Sequence, residues 1–378
     1  MKSNKECIGI VTCFLDNCGA CLQAYALQQV ITSIGYSSEI IKFMEPWGYY
    51  DTTIKNNNSI AIFLKRILRK NFKKKYDTGL YKELSFIKFR RKYLHFSNKT
   101  YSHSSDLEPQ PVQYDTYVCG SDQIWNPTFY DKCNPIYYLA FVNDTTPKIA
   151  YAPSIGLGDI PEIYRGDFIR YVNRLNYVSV REEQGVNIVN KYTEKKAKLV
   201  LDPTLLLYPI QWEKLALKRK THKPYVFCYL FGNHAYYTDV INRIAKINGY
   251  QIRIIPFFEN ELQPDFIIEK NAGPREFLSL IKDADLVLTD SFHESVFSIL
   301  FKKSFYVLRR DSDNDVNSMN SRIYNLLSIV GLNDRLLSKD EACSIQIKPI
   351  DRYEEVHKLI DMLRTDSLNY LRNALEGR

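Results

Sequence analysis

His293 stands in the most chemically suggestive setting of the chain. An apolar run and a Thr-Asp-Ser turn precede it at 286–291, and Val296, Phe297, Ile299 and Leu300 follow it at helical spacing. The order predicts a strand, a sharp turn and a helix. A helix start presents unpaired N–H groups and the positive end of its dipole, so an anion would lie beside a side chain that titrates near neutrality. Arg181 closes another strand-like run in Ser179-Val180-Arg181-Glu182. Its guanidinium suits a carboxylate or phosphate, although spacing equally allows a surface pair with a neighbouring glutamate. Gly120-Ser121-Asp122-Gln123 follows the apolar run 114–119 and supplies a hydroxyl, a carboxylate and an amide. Such groups match a hydroxyl-rich ligand, or simply cap a polar loop.

Cys13, Cys18 and Cys21 have the four-then-two spacing of an iron–sulfur loop, and Cys18-Gly19-Ala20-Cys21 alone is a C-x-x-C. A placed fourth ligand is missing. A tight turn whose small residues let backbone approach a ligand is the better reading, and no metal site is expected.

These residues need a scaffold. With 378 residues the chain suits two domains, and 45% hydrophobic with 25% charged residues exclude wholesale disorder. Of the net charge of +8, seven cations with no acid lie in 59–75, leaving +1 elsewhere. That distribution argues against nucleic acid as a partner. Ile60, Phe63, Leu64, Ile67, Leu68 and Phe72 form one stripe of an amphipathic helix, 60–75, whose basic face suits an anionic lipid surface or whose apolar face packs on the core. No apolar run is long enough to span a bilayer. Residues 7–15 imitate a signal peptide but lack a cleavage site and read as a buried first strand. Eight scattered cysteines suit a reducing, cytoplasmic setting.

Strand-like runs at 8–14, 39–43, 114–119, 148–153, 177–180 and 198–201 alternate with helical or loop segments, among them a loop at 16–21 and a helix at 22–34. The polar stretch 209–224 is the boundary candidate, after which strands at 225–231, 251–256, 286–289 and 305–308 alternate with helices. A polar loop is expected at 311–320. The fold class is α/β, with two Rossmann-like domains facing a central cleft. The divisions are 1–212, 221–350 and a C-terminal helix, 351–378, packing back on the first domain.

Six segments in order resemble the polysaccharide pyruvyl transferase family: Asn17-x-Gly19 with Leu22-Gln23-Ala24-Tyr25-Ala26-Leu27; Gly120-Ser121-Asp122-Gln123-Ile124-Trp125-Asn126; Ser179-Val180-Arg181-Glu182; Leu201-Asp202-Pro203-Thr204-Leu205-Leu206; Thr289-Asp290-Ser291-Phe292-His293; and Ser321-Arg322-Ile323. The resemblance implies a glycosyltransferase-B-like fold and transfer of pyruvate from phosphoenolpyruvate to two hydroxyls of one sugar, giving a cyclic ketal. It implies that His293 and Arg181 serve phosphoenolpyruvate; Ser291 and Phe292 are expected beside them, and the donor's two anionic groups call for a further cation, for which Arg322 is the candidate. Some branches carry arginine where this chain has Ser291, and many have glycine where it has Glu294. Asn17, Gly19, Ser121, Asp122, Gln123 and Asn126 are expected on the acceptor side.

The chemistry requires a proton on the methylene carbon, for which His293 is the candidate acid, while Asp122 would orient or deprotonate the acceptor hydroxyl. No cofactor is needed beyond the donor substrate. A capsule or exopolysaccharide precursor on a lipid diphosphate would fit the basic helix and a place at the inner membrane face. Nucleotide-sugar transfer on the same scaffold is the competing reading.

Overall fold

The computed structural model describes residues 6–15, 17–44, 79–102, 104–107, 113–218, 223–258, 263–310 and 321–377. The basic stripe 60–75 and the polar stretch 311–320 lie outside them.

The first sheet is built from β1 (Cys7–Val11), α1 (Cys18–Ile34), β2 (Ser37–Phe43), α2 (Gly79–Tyr93), β3 (Phe96–Tyr101), β4 (Thr116–Cys119), β5 (Lys148–Ala150), α3 (Glu162–Asn173), β6 (Tyr177–Val180), α4 (Glu183–Tyr192) and β7 (Lys198–Leu199). Its strand order is β3-β2-β1-β4-β5-β6-β7, all parallel. The short helices α5 (Pro203–Leu206) and α6 (Pro209–Leu215) lead onward. The second sheet uses β8 (Tyr225–Tyr229), α7 (Ala235–Asn248), β9 (Gln251–Ile254), β10 (Phe266–Ile268), α8 (Pro274–Lys282), β11 (Leu286–Thr289), α9 (Phe292–Leu300), β12 (Phe305–Leu308), α10 (Ser321–Ile329) and β13 (Leu336–Leu337). Its order is β10-β9-β8-β11-β12-β13, also parallel. The chain closes with α11 (Lys339–Ser344) and α12 (Tyr353–Leu375).

The central strands are continuous apolar runs because helices cover both faces. Every residue of β4, β8 and β11 is buried. In each sheet the first strand sits between the second and the next in line, so the direction of winding reverses at β1/β4 and at β8/β11. Loops on either side of such a reversal part at the carboxyl ends of the strands and open a crevice. The start of α1, the loop after β4 and the start of α9 all belong to these crevices.

Trp212 pins the two halves together. Its ring is fully buried, 5.7 Å from Tyr25 of α1 and 5.0 Å from Phe297 of α9, and its indole N–H donates to the Thr204 carbonyl at 3.1 Å. Truncation to alanine would cost about 3–5 kcal/mol. Helix α12 bonds to both halves: Leu201 N donates to Ser367 Oγ at 3.0 Å and Arg364 Nε to the Leu205 carbonyl at 2.7 Å, while the Tyr353 hydroxyl donates to the Lys303 carbonyl.

Two expectations are corrected. The loop expected over 16–21 is helical from Cys18, because the Asn17 side chain accepts from Ala20 N and caps α1 four residues early. Strands β3, β10 and β13 were not foreseen. They sit at or next to sheet edges, where short or half-polar sequences carry weak periodicity; three residues of β3 are exposed. In addition, α6 occupies the first part of the 209–224 stretch, with Pro209 at its first turn.

Candidate active site

Strand ends and helix starts from both sheets converge on Asp202. This residue caps α5, and its Oδ1 accepts from Thr204 N at 2.9 Å and Thr204 Oγ1 at 2.6 Å. Its Oδ2 accepts from Arg181 Nη1 at 2.7 Å and Ser121 Oγ at 2.9 Å, and lies 3.8 Å from His293 Nε2. Burial would raise this carboxyl, but His293 and Arg181 outweigh it and hold Asp202 well below the usual carboxylate range. The aspartate is therefore an anion at any physiological pH. Sequence reading placed it in a motif without a role; its position just after a strand and before Pro-Thr was the available signal.

Arg181 is buried rather than paired on the surface. Burial opposes its charge, yet Asp202, Asp122 and Glu182 keep it above its ordinary value. Asp122 Oδ1 lies 3.7 Å from its Nη2 and Glu182 Oε2 3.7 Å from its Nε. The guanidinium stacks 4.1 Å from the centre of the Phe292 ring, so the first helical residue of one half covers the arginine of the other. Nε and Nη2 have no hydrogen-bond acceptor among the described residues, each facing its carboxylate only at 3.7 Å. Asn325 of α10 fixes the arginine's backbone, donating to the Arg181 carbonyl and accepting from Glu183 N, both at 3.2 Å.

Arg322 lies one helical turn before Asn325 and is 7% exposed. Burial, followed by the nearby Arg181 and Arg310 cations, pushes its guanidinium down to about 9. Arg310 is engaged by Asp290, with Nε 3.2 Å from Oδ2 and Nη2 donating to the Asp290 carbonyl at 2.7 Å. Among the described residues Arg322 has no carboxylate within ion-pair distance, with Asp122 and Glu182 acting on it only from farther away, and its Nε has no acceptor. A buried cation that is not directly paired suits an added anion.

His293 follows Ser291, which caps α9 by accepting from Glu294 N at 3.4 Å, and Phe292, whose ring meets the imidazole edge-on at 5.2 Å. On its other side is Gly19 of α1. A Cβ there would fall 2.2 Å from His293 Nδ1, so only glycine lets that helix turn approach. The glycine expected to admit a ligand thus admits the histidine. Glu294 is fully buried, and burial raises its carboxyl well above the usual range. Burial thus favours the neutral form of the extra carboxyl, the form that does not repel an anion at the helix start.

The remaining expected residues divide. Ser121 and Asp122 join the cluster, helped by Gly120, where a Cβ would fall 1.8 Å from the Tyr151 carbonyl oxygen and φ is +127°. Gln23, unremarked as a side chain in the sequence, ties this loop to β1 and α1: its Nε2 donates to Thr12 Oγ1 and the Cys13 carbonyl at 2.8 Å, and its Oε1 accepts from Ser121 N at 3.1 Å. Asn17 and Asn126 spend their side-chain oxygens on caps, Asn126 accepting from Thr128 N at 3.1 Å. Gln123 packs at Gly156. Burial raises the Cys18 thiol far above its ordinary value, and Cys21 Sγ bonds to the Phe14 carbonyl, so neither thiol has the environment of a thiolate. Among the described residues no group of three His, Cys, Asp or Glu side chains is disposed to hold a metal.

Known proteins give this arrangement a context. The family model for polysaccharide pyruvyl transferase matches residues 17–312, which run from the cap of α1 past Arg310 and include every cluster residue but Arg322. The chain belongs to the polysaccharide pyruvyl transferase family. No curated protein matches the sequence. Among solved structures, a putative UDP-N-acetylglucosamine 2-epimerase from Listeria monocytogenes aligns with a TM-score of 0.53 at 7% identity, covering 97% of this chain and 90% of that one. The MnaA structure with UDP from S. aureus aligns with a TM-score of 0.51 at 9% identity, covering 98% and 97%. At such identity the likeness is one of fold. It agrees with two Rossmann-like domains in the glycosyltransferase-B arrangement. This pyruvyl transferase family member has, among its described residues, no helix long and apolar enough to cross a membrane.

Proposed function

We propose that the protein takes pyruvate from phosphoenolpyruvate and sets it as a cyclic ketal on two hydroxyls of one sugar, releasing phosphate. The observation that carries this reading is Arg322, a buried guanidinium with no carboxylate in salt-bridge contact among the described residues and with Arg181 and Arg310 nearby. A donor bearing both phosphate and carboxylate would satisfy Arg322, the Arg181 N–H groups that have no hydrogen bond and the α9 N–H groups together.

In this reading His293 delivers a proton to the methylene carbon, which makes the central carbon electrophilic. Asp122 orients the acceptor hydroxyl; its left-handed backbone, φ 70°, and its bond from Gln123 N at 2.9 Å hold the carboxylate near Arg181. The first hydroxyl adds, phosphate departs, and the second hydroxyl closes the ring. The reaction calls for no resident cofactor. The acceptor is a sugar of a capsule or exopolysaccharide precursor on a lipid diphosphate, with segment 60–75 meeting the inner membrane face. Charge-reversing Lys73, Lys74 and Lys75 to glutamate should abolish binding to anionic liposomes.

The direct test incubates the protein with phosphoenolpyruvate and lipid-linked oligosaccharide, following free phosphate and the mass of a pyruvyl ketal on the product. His293→Ala should lower turnover roughly 10²–10⁴-fold with an unchanged circular dichroism spectrum. Release of nucleotide from a sugar nucleotide, with phosphoenolpyruvate untouched, would instead establish glycosyl transfer.

A further inference from the structure

We infer that Asp202 is the positioning residue of His293, holding Nε2 toward its carboxylate and leaving Nδ1 as the nitrogen that serves the substrate. The inference rests on the pyruvyl-transfer reading for its chemistry and on the following geometry for its assignment of atoms.

The Asp202 carboxylate is immobile. Thr204 N, Thr204 Oγ1, Ser121 Oγ and Arg181 Nη1 all point at it from 2.6 to 2.9 Å. His293 Nε2 is buried, has no hydrogen-bond partner and lies 3.8 Å from Oδ2. Reaching a normal hydrogen-bond length takes a shift of only about 1 Å, and with Asp202 already held by four donors the histidine is the member of the pair that makes it. The opposite nitrogen, Nδ1, lies against the first turn of α1 at Gly19, where a Cβ would fall 2.2 Å from it. The imidazole is thus fixed between a carboxylate of the first sheet's loops and a helix turn of the same half, although it belongs to the other half.

The charges around the pair are Arg181 and Glu182 after β6, Asp122 after β4, Arg322 on α10 and the Arg310–Asp290 pair after β12 and β11. Burial favours the neutral forms of Glu294, on the histidine's own helix, and of Tyr151 beside Asp202. No other carboxylate is recorded within 4.0 Å of the ring nitrogens among the described residues. Asp202 is therefore the anion that stabilises the imidazolium and fixes the tautomer left behind.

The proton count closes with this assignment. The Nδ1–H bond breaks and the electron pair of the donor's C=C bond forms the new methyl C–H bond. The remaining ring proton stays on Nε2 facing Asp202. As the first acceptor oxygen bonds to the central carbon, its released proton restores Nδ1–H. When the C–O bond to phosphate breaks and the second oxygen bonds, the second hydroxyl's proton leaves on phosphate.

Histidine-selective ¹⁵N labelling tests the assignment, with the His293 signals identified by their loss in His293→Gln. Neutral His293 should carry its proton on Nε2 in the wild type and lose that preference in Asp202→Asn. In the same variant kcat should fall roughly 10²–10⁴-fold while the KM for phosphoenolpyruvate changes little, the pattern of a histidine held in the wrong form. A wild-type proton on Nδ1, or an Asp202→Asn enzyme with normal kcat, overturns the inference. If Asp202→Asn does not fold, the wild-type tautomer alone decides. Failure of the pyruvyl reading looks different: wild-type protein releases no phosphate from phosphoenolpyruvate, whatever the tautomer.

Discussion

Gly19 and His293 touch across the cleft between the two sheets, and a single added carbon at Gly19 would sit 2.2 Å from Nδ1 and 2.5 Å from Cγ of the imidazole. The contact joins the first helix of one half to the proposed acid of the other. It makes the closed arrangement of the cleft depend on the absence of a side chain.

Gly19→Ala should therefore separate activity from folding. The methyl group must displace the imidazole from its place beside Asp202 Oδ2 or part the two halves, at a cost of about 1–3 kcal/mol by analogy with overpacked cores. Turnover should fall at least tenfold, on the order expected when a reacting group is displaced by about 1 Å. Steady-state kinetics beside urea unfolding checks this, and wild-type kcat in the variant would show that the contact is not maintained during the reaction.

Arg322→Met should trade function for stability. The guanidinium is buried beside Arg181 and Arg310, and its removal relieves both desolvation and like-charge repulsion. The unliganded variant should match or exceed the wild type, by up to about 1–4 kcal/mol. It should lose most of the thermal stabilisation that phosphoenolpyruvate confers, since a charge-assisted contact is worth about 1.5–3 kcal/mol. Melting curves with and without phosphoenolpyruvate give both numbers. Equal ligand stabilisation in the two proteins would remove Arg322 from the donor site.

Glu294 predicts a pH dependence of opposite sign to that of most carboxylates. Burial keeps it protonated in the folded protein well above the value at which the unfolded chain ionises. Above about pH 4.5 the folded state thus binds more protons than the unfolded one, and this group's contribution to stability falls as pH rises toward its folded value. Glu294→Gln lacks the ionisation, so its stability relative to wild type should grow with pH, at most by about 1.4 kcal/mol per unit. Urea unfolding of both proteins at pH 5 and pH 8 measures the difference. A constant offset would mean that the folded carboxyl is already ionised.

Period and punctuation carried much of the architecture. The apolar runs at β1, β4, β6, β8, β11 and β12 are legible because helices bury both faces of a parallel strand, and this leaves continuous hydrophobic sequence. The turn at Ser291–His293 is legible for a related reason, since a cap must be a short polar side chain directly before a periodic helix. Edge strands such as β3 and β13, and the early start of α1, were not legible, because what decides them is pairing and capping geometry rather than composition.

The residue types of the site, His293, Arg181, Asp122 and Arg322, were determined by the sequence alone. Their relations were decided by tertiary structure. Asp202 lies 91 positions before His293 in the chain, and nothing local joins them. Only the meeting of two separately wound sheets puts the α9 histidine beside the α5 cap, makes Gly19 the clearance for an imidazole, and buries Arg322 near Arg181 and Arg310. Charge and hydrogen bonding act over a few ångströms of space, whereas sequence patterns record only the few residues on either side.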